Sequence, residues 1–171
     1  MNTEFNNELI NHEMGKDLSR RRLMNHMNEY TTNKSLFLVL HLNHYLQKEK
    51  NEPHKIKKSL KKFFKSIDNE VFSKKSNKQL RRYVMIENLK KRGKTHVQSA
   101  IEIPTHLNSV ALKKIIKRNL NDQIVRLEHI TSVYDHKGLI DYNTKDMYSV
   151  KPNQIDNTFD EVNSHFNRVS A

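Results

Sequence analysis

Between residues 36 and 43 two kinds of position alternate. Leu36, Leu38, Leu40 and Leu42 fall on one parity; Phe37, Val39, His41 and Asn43 fall on the other. A period of two predicts a strand with a leucine face turned to a core. From Pro53 the period changes. Ile56, Leu60, Phe63, Phe64, Ile67 and Val71 recur at steps of three and four, with lysines between them, so a helix opens at Pro53, where the missing N–H costs nothing. Tyr83 to Glu87 and His96 to Ile103 read as two further strands. Leu89 to Lys94 joins them as a hairpin turn, with Gly93 free to take positive φ. Asn108 or Ser109 caps a second helix with Val110, Leu112, Ile115, Ile116 and Leu120 as its stripe, and Ile124 to Val133 is a fourth strand. Asp135 to Gly138 reads as a turn, followed by a short helix from Leu139 to Met147.

This order predicts an α+β, ferredoxin-like β-α-β-β-α-β domain, an antiparallel sheet with its helices on one face. Residues 1–33 form an N-terminal helical extension, on the spacing of Phe5, Leu9 and Ile10 and then of Leu23, Met24 and Met27. Residues 34–150 form the domain, with a C-terminal helix carrying a tyrosine, and 151–171 a polar tail expected to be loose or weakly helical. The parity of three strands places Val39, His41, Tyr83, Met85, Glu87, His96, Gln98, Ala100 and Glu102 together on the face away from the helices.

Charge then adds a partner. The 171 residues carry 31 Lys+Arg against 19 Asp+Glu, a net charge of +12, which makes a polyanion, nucleic acid, the first expectation. The run Arg20-Arg21-Arg22 reads as a solvated helical face or a phosphate-contacting arm. With no cysteine in the chain, thiolate zinc sites and cysteine nucleophiles are excluded. The longest apolar run, Leu36 to Leu40, is too short to span a bilayer, and the polar first ten residues do not resemble a secretory signal. A cytoplasmic protein without membrane contact is the expectation.

On the shared face, His96 and Gln98 leave one strand on the same side, and Glu87 stands across the hairpin. An imidazole, an amide oxygen and a carboxylate so placed suit Mg2+ or Mn2+ with open positions. Glu102 is the alternative carboxylate, and the competing reading is a polar sheet face without a metal. Tyr142 and Lys145 lie three apart on the last helix and project from one side. A tyrosine attacks phosphorus once its proton is lost, and a lysine neutralises the charge that develops. Tyr148 and Tyr134 are the rival tyrosines, and packing of an ordinary amphipathic ring is the plainer role for Tyr142.

With these residues in order, the chain resembles the single-tyrosine HUH endonucleases, the family of rolling-circle replication initiators, relaxases and related transposases. Their metal pair is histidine–hydrophobic–histidine. His96-Val97-Gln98 departs from it and is similar to the His-hydrophobic-Gln form of initiators of small circular single-stranded DNA viruses, which place a glutamate on the preceding strand, as at Glu87. Phe37 to Asn43 is similar to their first motif, and Tyr142 with Lys145 to their third. The resemblance spans about residues 35 to 150. It implies metal-dependent nicking and joining of single-stranded DNA, or of a DNA hairpin at an origin, through a 5′-phosphotyrosine on Tyr142. Glu87, His96 and Gln98 would hold Mn2+ or Mg2+. His41, Asn43, Tyr83, Arg92 and Lys94 are the candidate DNA contacts. No Gly-x-x-x-x-Gly-Lys pattern occurs, so unwinding is expected from a separate host helicase. The rival function is a non-catalytic nucleic-acid-binding module of RRM type, stacking bases on Phe37 and Tyr83.

Overall fold

A computed structural model describes residues 20, 21, 23–25, 27, 28, 34–49, 52–87, 94–145, 159, 160 and 162–165. Phe5, Leu9, Ile10, Arg22, Arg92, Gly93 and Tyr148 lie outside the described residues.

Four strands form one antiparallel sheet: β1 (Ser35–Leu42), β2 (Arg82–Glu87), β3 (His96–Glu102) and β4 (Val125–Ser132), in the order β2-β3-β1-β4. This α+β arrangement is compatible with a ferredoxin-like fold. Alternation sets the register. Leu36, Leu38 and Leu40 stand opposite Ile101, Ser99 and Val97, and Val84 and Ile86 opposite Ser99 and Val97. The leucine parity of β1 is fully buried against two helices, α2 (Pro53–Phe72) and α3 (Ser109–Arg118). Ile56, Leu60, Phe63, Phe64 and Ile67 from α2 and Leu112, Ile115 and Ile116 from α3 complete this core. Truncating one such leucine to alanine costs about 2–5 kcal/mol through lost transfer energy and the cavity left behind.

Two starts differ from expectation. A short helix, α1 (His44–Lys48), follows β1 directly, because the Asn43 side chain accepts the Leu46 N–H at 2.8 Å and turns the chain. Asp135 to Gly138 is the opening of helix α4 (His136–Thr144), not a separate turn. The Asp135 carboxylate accepts the Gly138 N–H at 3.0 Å, and a side chain at Gly138 would collide with that carboxylate.

The face away from α2 and α3 also differs from expectation over half its width. A second core forms there from Tyr83, Met85, Ala100, Ile140, Phe159 and Met27, with Leu23, Met24 and Leu139 packed against it. The described residues between 20 and 28 are helical and sit on this face with α4. Arg20, from the arginine run, is buried. Its Nε donates to Thr144 O at 3.3 Å and its guanidinium pairs with Asp141 at 2.8 Å. It therefore satisfies a carbonyl at the end of α4, where a cation is favourable.

The described part of the tail is also packed. Arg82 and His165 exchange two backbone hydrogen bonds of 2.8 Å, and Asp160 N donates to Val84 O at 2.9 Å, so the outer edge of β2 is covered. The Arg82 guanidinium meets Asp68 of α2 in a two-pronged pair at 2.7 and 3.0 Å and donates to Asn163 O at 2.9 Å.

Candidate metal and nucleophile site

Three rows of side chains cross the face opposite α2 and α3. The register reads Tyr83–Ala100–Phe37–Thr131, then Met85–Gln98–Val39–His129, then Glu87–His96–His41–Arg126. In the first row Tyr83 and Ala100 lie in the second core. The last is mostly polar and lies where β2 and β4 begin or end nearest the hairpin.

Local structure holds this row in place. Gln47 of α1 donates to Thr95 O at 2.9 Å and accepts from Thr95 N at 2.8 Å, which pins the start of β3 just before His96. In β4 the register shifts between Val39 and Leu40. Val39 pairs with His129 and Leu40 with Leu127, so Glu128 is an extra residue. Such a bulge bends the strand and re-aims a side chain. Glu128 consequently reaches both histidines. His41 Nε2 lies 3.0 Å and His96 Nδ1 3.1 Å from the same Glu128 oxygen, Oε2. The two rings stand 4.3 Å apart at 52°. One donor atom from each of these three residues falls within 4.8 Å of the others, as a metal site requires.

Glu87 and Gln98 make the neighbouring group. Gln98 Nε2 donates to Glu87 Oε2 at 2.6 Å, and both residues are buried. Gln98 Oε1 is buried and accepts no hydrogen bond from the described residues. A buried amide oxygen left in that state calls for an explanation, and a hard divalent cation would use it as a ligand. The donor types that the resemblance implies are those a divalent metal takes, and Glu87, His96 and Gln98 share this face, but the Glu87 carboxylate is engaged by Gln98.

The nucleophile candidate approaches from α4. Tyr142 is 54 % exposed. The Lys145 ammonium lies 3.3 Å from the centre of the Tyr142 ring and 3.6 Å from Glu87 Oε1. One lysine thus links the tyrosine to the ligand-bearing edge of the sheet. The helix is oriented from beneath. Asn143 Nδ2 donates to Tyr83 Oη at 2.6 Å within the second core, beside buried Ile140. Burial holds the Tyr83 phenol well above its ordinary pKa, against the opposing effect of the Asn143 hydrogen bond, so Tyr83 stays neutral.

The other candidate positions take different roles. Tyr83 is only 2 % exposed and lies within the second core. Asn43 caps α1, and its amide donates to Gln123 O, so it is a structural residue here. Glu102 pairs with Arg81 at 3.0 Å at the far end of β3, away from His96, and does not join the ligand group. His41 belongs to the Glu128 cluster. Lys94 is exposed just ahead of β3. Tyr134 is 88 % exposed in the segment before α4. Glu128 was missed in the sequence, and Arg20, read as part of a solvated or phosphate-contacting run, is instead buried against α4. The signal for Glu128 was the apolar spacing Val125, Leu127, Ile130, two and then three, which marks a bulge. Arg20 had no comparable signal.

Among the described residues, no helix is long and apolar enough to cross a membrane. No known protein family, curated protein or solved structure matches the chain.

Proposed function

We propose that the chain is a metal-dependent nickase and strand-joining enzyme for single-stranded DNA, of the single-tyrosine HUH type, on a ferredoxin-like domain whose last helix carries the nucleophile. The observation that supports this best is the position of Lys145. Its ammonium touches the face of the Tyr142 ring and reaches the Glu87 carboxylate, and Glu87 stands in register with His96 and hydrogen-bonds Gln98. A nucleophile, a cation and metal-type ligands thus meet at one edge of the sheet.

In this reading Tyr142 Oη attacks the scissile phosphorus. The new O–P bond forms as the bond from phosphorus to the 3′ oxygen breaks. The phenol proton is released, and the leaving 3′ oxygen takes one up. The products are a 5′-phosphotyrosine and a free 3′-OH, and attack by a 3′-OH reverses the step and joins strands. Lys145 stabilises the charge developing on phosphate. A divalent ion, Mn2+ or Mg2+, supplies Lewis-acid polarisation of the phosphate when bound. Lys94 and the chain's net charge of +12 favour the DNA backbone. The biological role is initiation of rolling-circle replication of a plasmid, phage or mobile element, with a host helicase opening the duplex.

The test is a denaturing gel of the protein mixed with labelled single-stranded oligonucleotides and Mn2+. A band of protein-plus-DNA size, lost with EDTA and with Tyr142→Phe, is the expected result. Binding without a covalent band, on substrates that include the native flanking DNA, would instead favour the non-catalytic module. Burial of Tyr83 already weighs against that module's base-stacking surface.

A further inference from the structure

We infer that His41, His96 and Glu128 are the ligands of a divalent transition-metal ion, and that Glu87 and Gln98 lie outside its bonds and hold Lys145 instead. The inference deepens the function proposed above and takes its catalytic meaning from it, but ion binding itself is measurable without DNA.

Spacing is the first argument. Two donors each about 2.1 Å from an ion and at right angles around it stand about 3.0 Å apart. The Glu128 oxygen lies 3.0 Å from His41 Nε2 and 3.1 Å from His96 Nδ1. Both ring nitrogens thus stand at hydrogen-bond distance from that one oxygen. An ion would take the lone pair of each of these nitrogens, with each ring's proton on its other nitrogen.

Charge balance is the second. The Glu87 carboxylate already has the Lys145 ammonium at 3.6 Å and the Gln98 amide at 2.6 Å. A dication bound there would lie beside an ammonium and be repelled by it. Glu128 faces two imidazoles that carry no charge when they act as ligands, so its charge is available to a cation.

The third argument is construction. Three strands contribute one ligand each, and the third arrives only because β4 bulges at Glu128. Two imidazoles with one carboxylate favour borderline transition ions over Mg2+, which prefers an all-oxygen shell. Mn2+, Co2+ or Zn2+ are thus the expected occupants. In this arrangement Glu87 is a positioning residue that acts on Tyr142 through Lys145.

The experiment uses the full chain without DNA and Mn2+ alone as the probe. Calorimetric titration should find one site, and pulsed electron paramagnetic resonance should count two bound imidazole nitrogens. His41→Ala should reduce the count to one. Glu128→Gln should weaken Mn2+ binding by at least about 100-fold, more than the loss of most outer hydrogen-bond partners. Glu87→Gln should change the affinity by less than about threefold. A circular dichroism melt confirms that each variant is folded. A parent signal of one imidazole, with binding lost in Glu87→Gln and kept in His41→Ala, would overturn the assignment, as would no Mn2+ binding at millimolar concentration. The two readings fail separately. A two-imidazole site without any DNA adduct sinks the nickase and leaves the metal site. An adduct with a one-imidazole ion does the reverse.

Discussion

The face of the sheet opposite α2 and α3 has two ends built on different principles. At one, Tyr83, Met85 and Ala100 are sealed under Met27, Ile140 and Phe159. At the other, His41, His96 and Glu128 are partly exposed and bound to one another by polar contacts. β3 runs through both ends, with Ala100 at the covered one and His96 at the open one. The covered end is an anchor. It draws its stability from apolar burial and fixes α4 through Ile140 and the Asn143–Tyr83 bond. The open end forgoes that burial and holds the groups proposed to bind and react. Lys145 and Tyr142 stand where the two meet, so the anchor sets the geometry of the chemistry.

Four measurements test this division. At the open end, His96→Ala should lower Mn2+-dependent adduct formation by about 100-fold or more, because His96 belongs to both candidate ligand sets. Stability in urea should change by no more than about 0.5 kcal/mol, as for a partly exposed polar site. A large loss of stability would show that the polar row is also structural. At the covered end, Ile140→Ala should cost about 2–5 kcal/mol in the same titration. Adduct yield should fall with it while Mn2+ affinity holds in the folded protein. Unchanged adduct yield would mean that the second core does not position α4.

Tyr83→Phe should be milder, at about 1–2 kcal/mol, because it strands the buried Asn143 donor and leaves the ring packing intact. A neutral result would place a water or another acceptor at that amide. The smallest effect concerns the edge of β2. Burial, and then the positive Arg82 beside it, hold the His165 pKa below 6.5. Its contribution to stability is therefore present above about pH 6.5, the unfolded value, and is lost as pH falls through the lower folded value. Protection factors at Arg82 and His165, taken against the intrinsic exchange rate at each pH, should fall on mild acidification ahead of those in β1. An equal fall throughout would show that the tail and sheet open together.

The strands and the two long helices were legible because each has a period. Leucines at alternate positions of β1, the three-and-four spacing after Pro53, and Asn108 ahead of Ser109 placed those elements within a residue or two of their ends. Caps were harder. Asp135 read as a turn because an aspartate accepting an N–H three residues on has the same local chemistry in a turn and at a helix start. At the site, parity brought Glu87, His96 and Gln98 to one face, and the structure keeps them there. Parity could not say that Tyr83, with the same orientation, would be roofed over.

Face and order were thus determined by the sequence itself, since side-chain direction in a strand follows from a backbone repeat of two and needs no distant partner. Three things were decided only by tertiary structure. These are the cover over Tyr83, the buried Arg20 at the end of α4, and the convergence of Glu128 on His41 and His96. Each joins residues far apart in the chain: Arg20 with Thr144, Tyr83 with Asn143, His96 with Glu128. The physical reason is that local periodicity encodes which way a side chain points, whereas its neighbour depends on packing between segments.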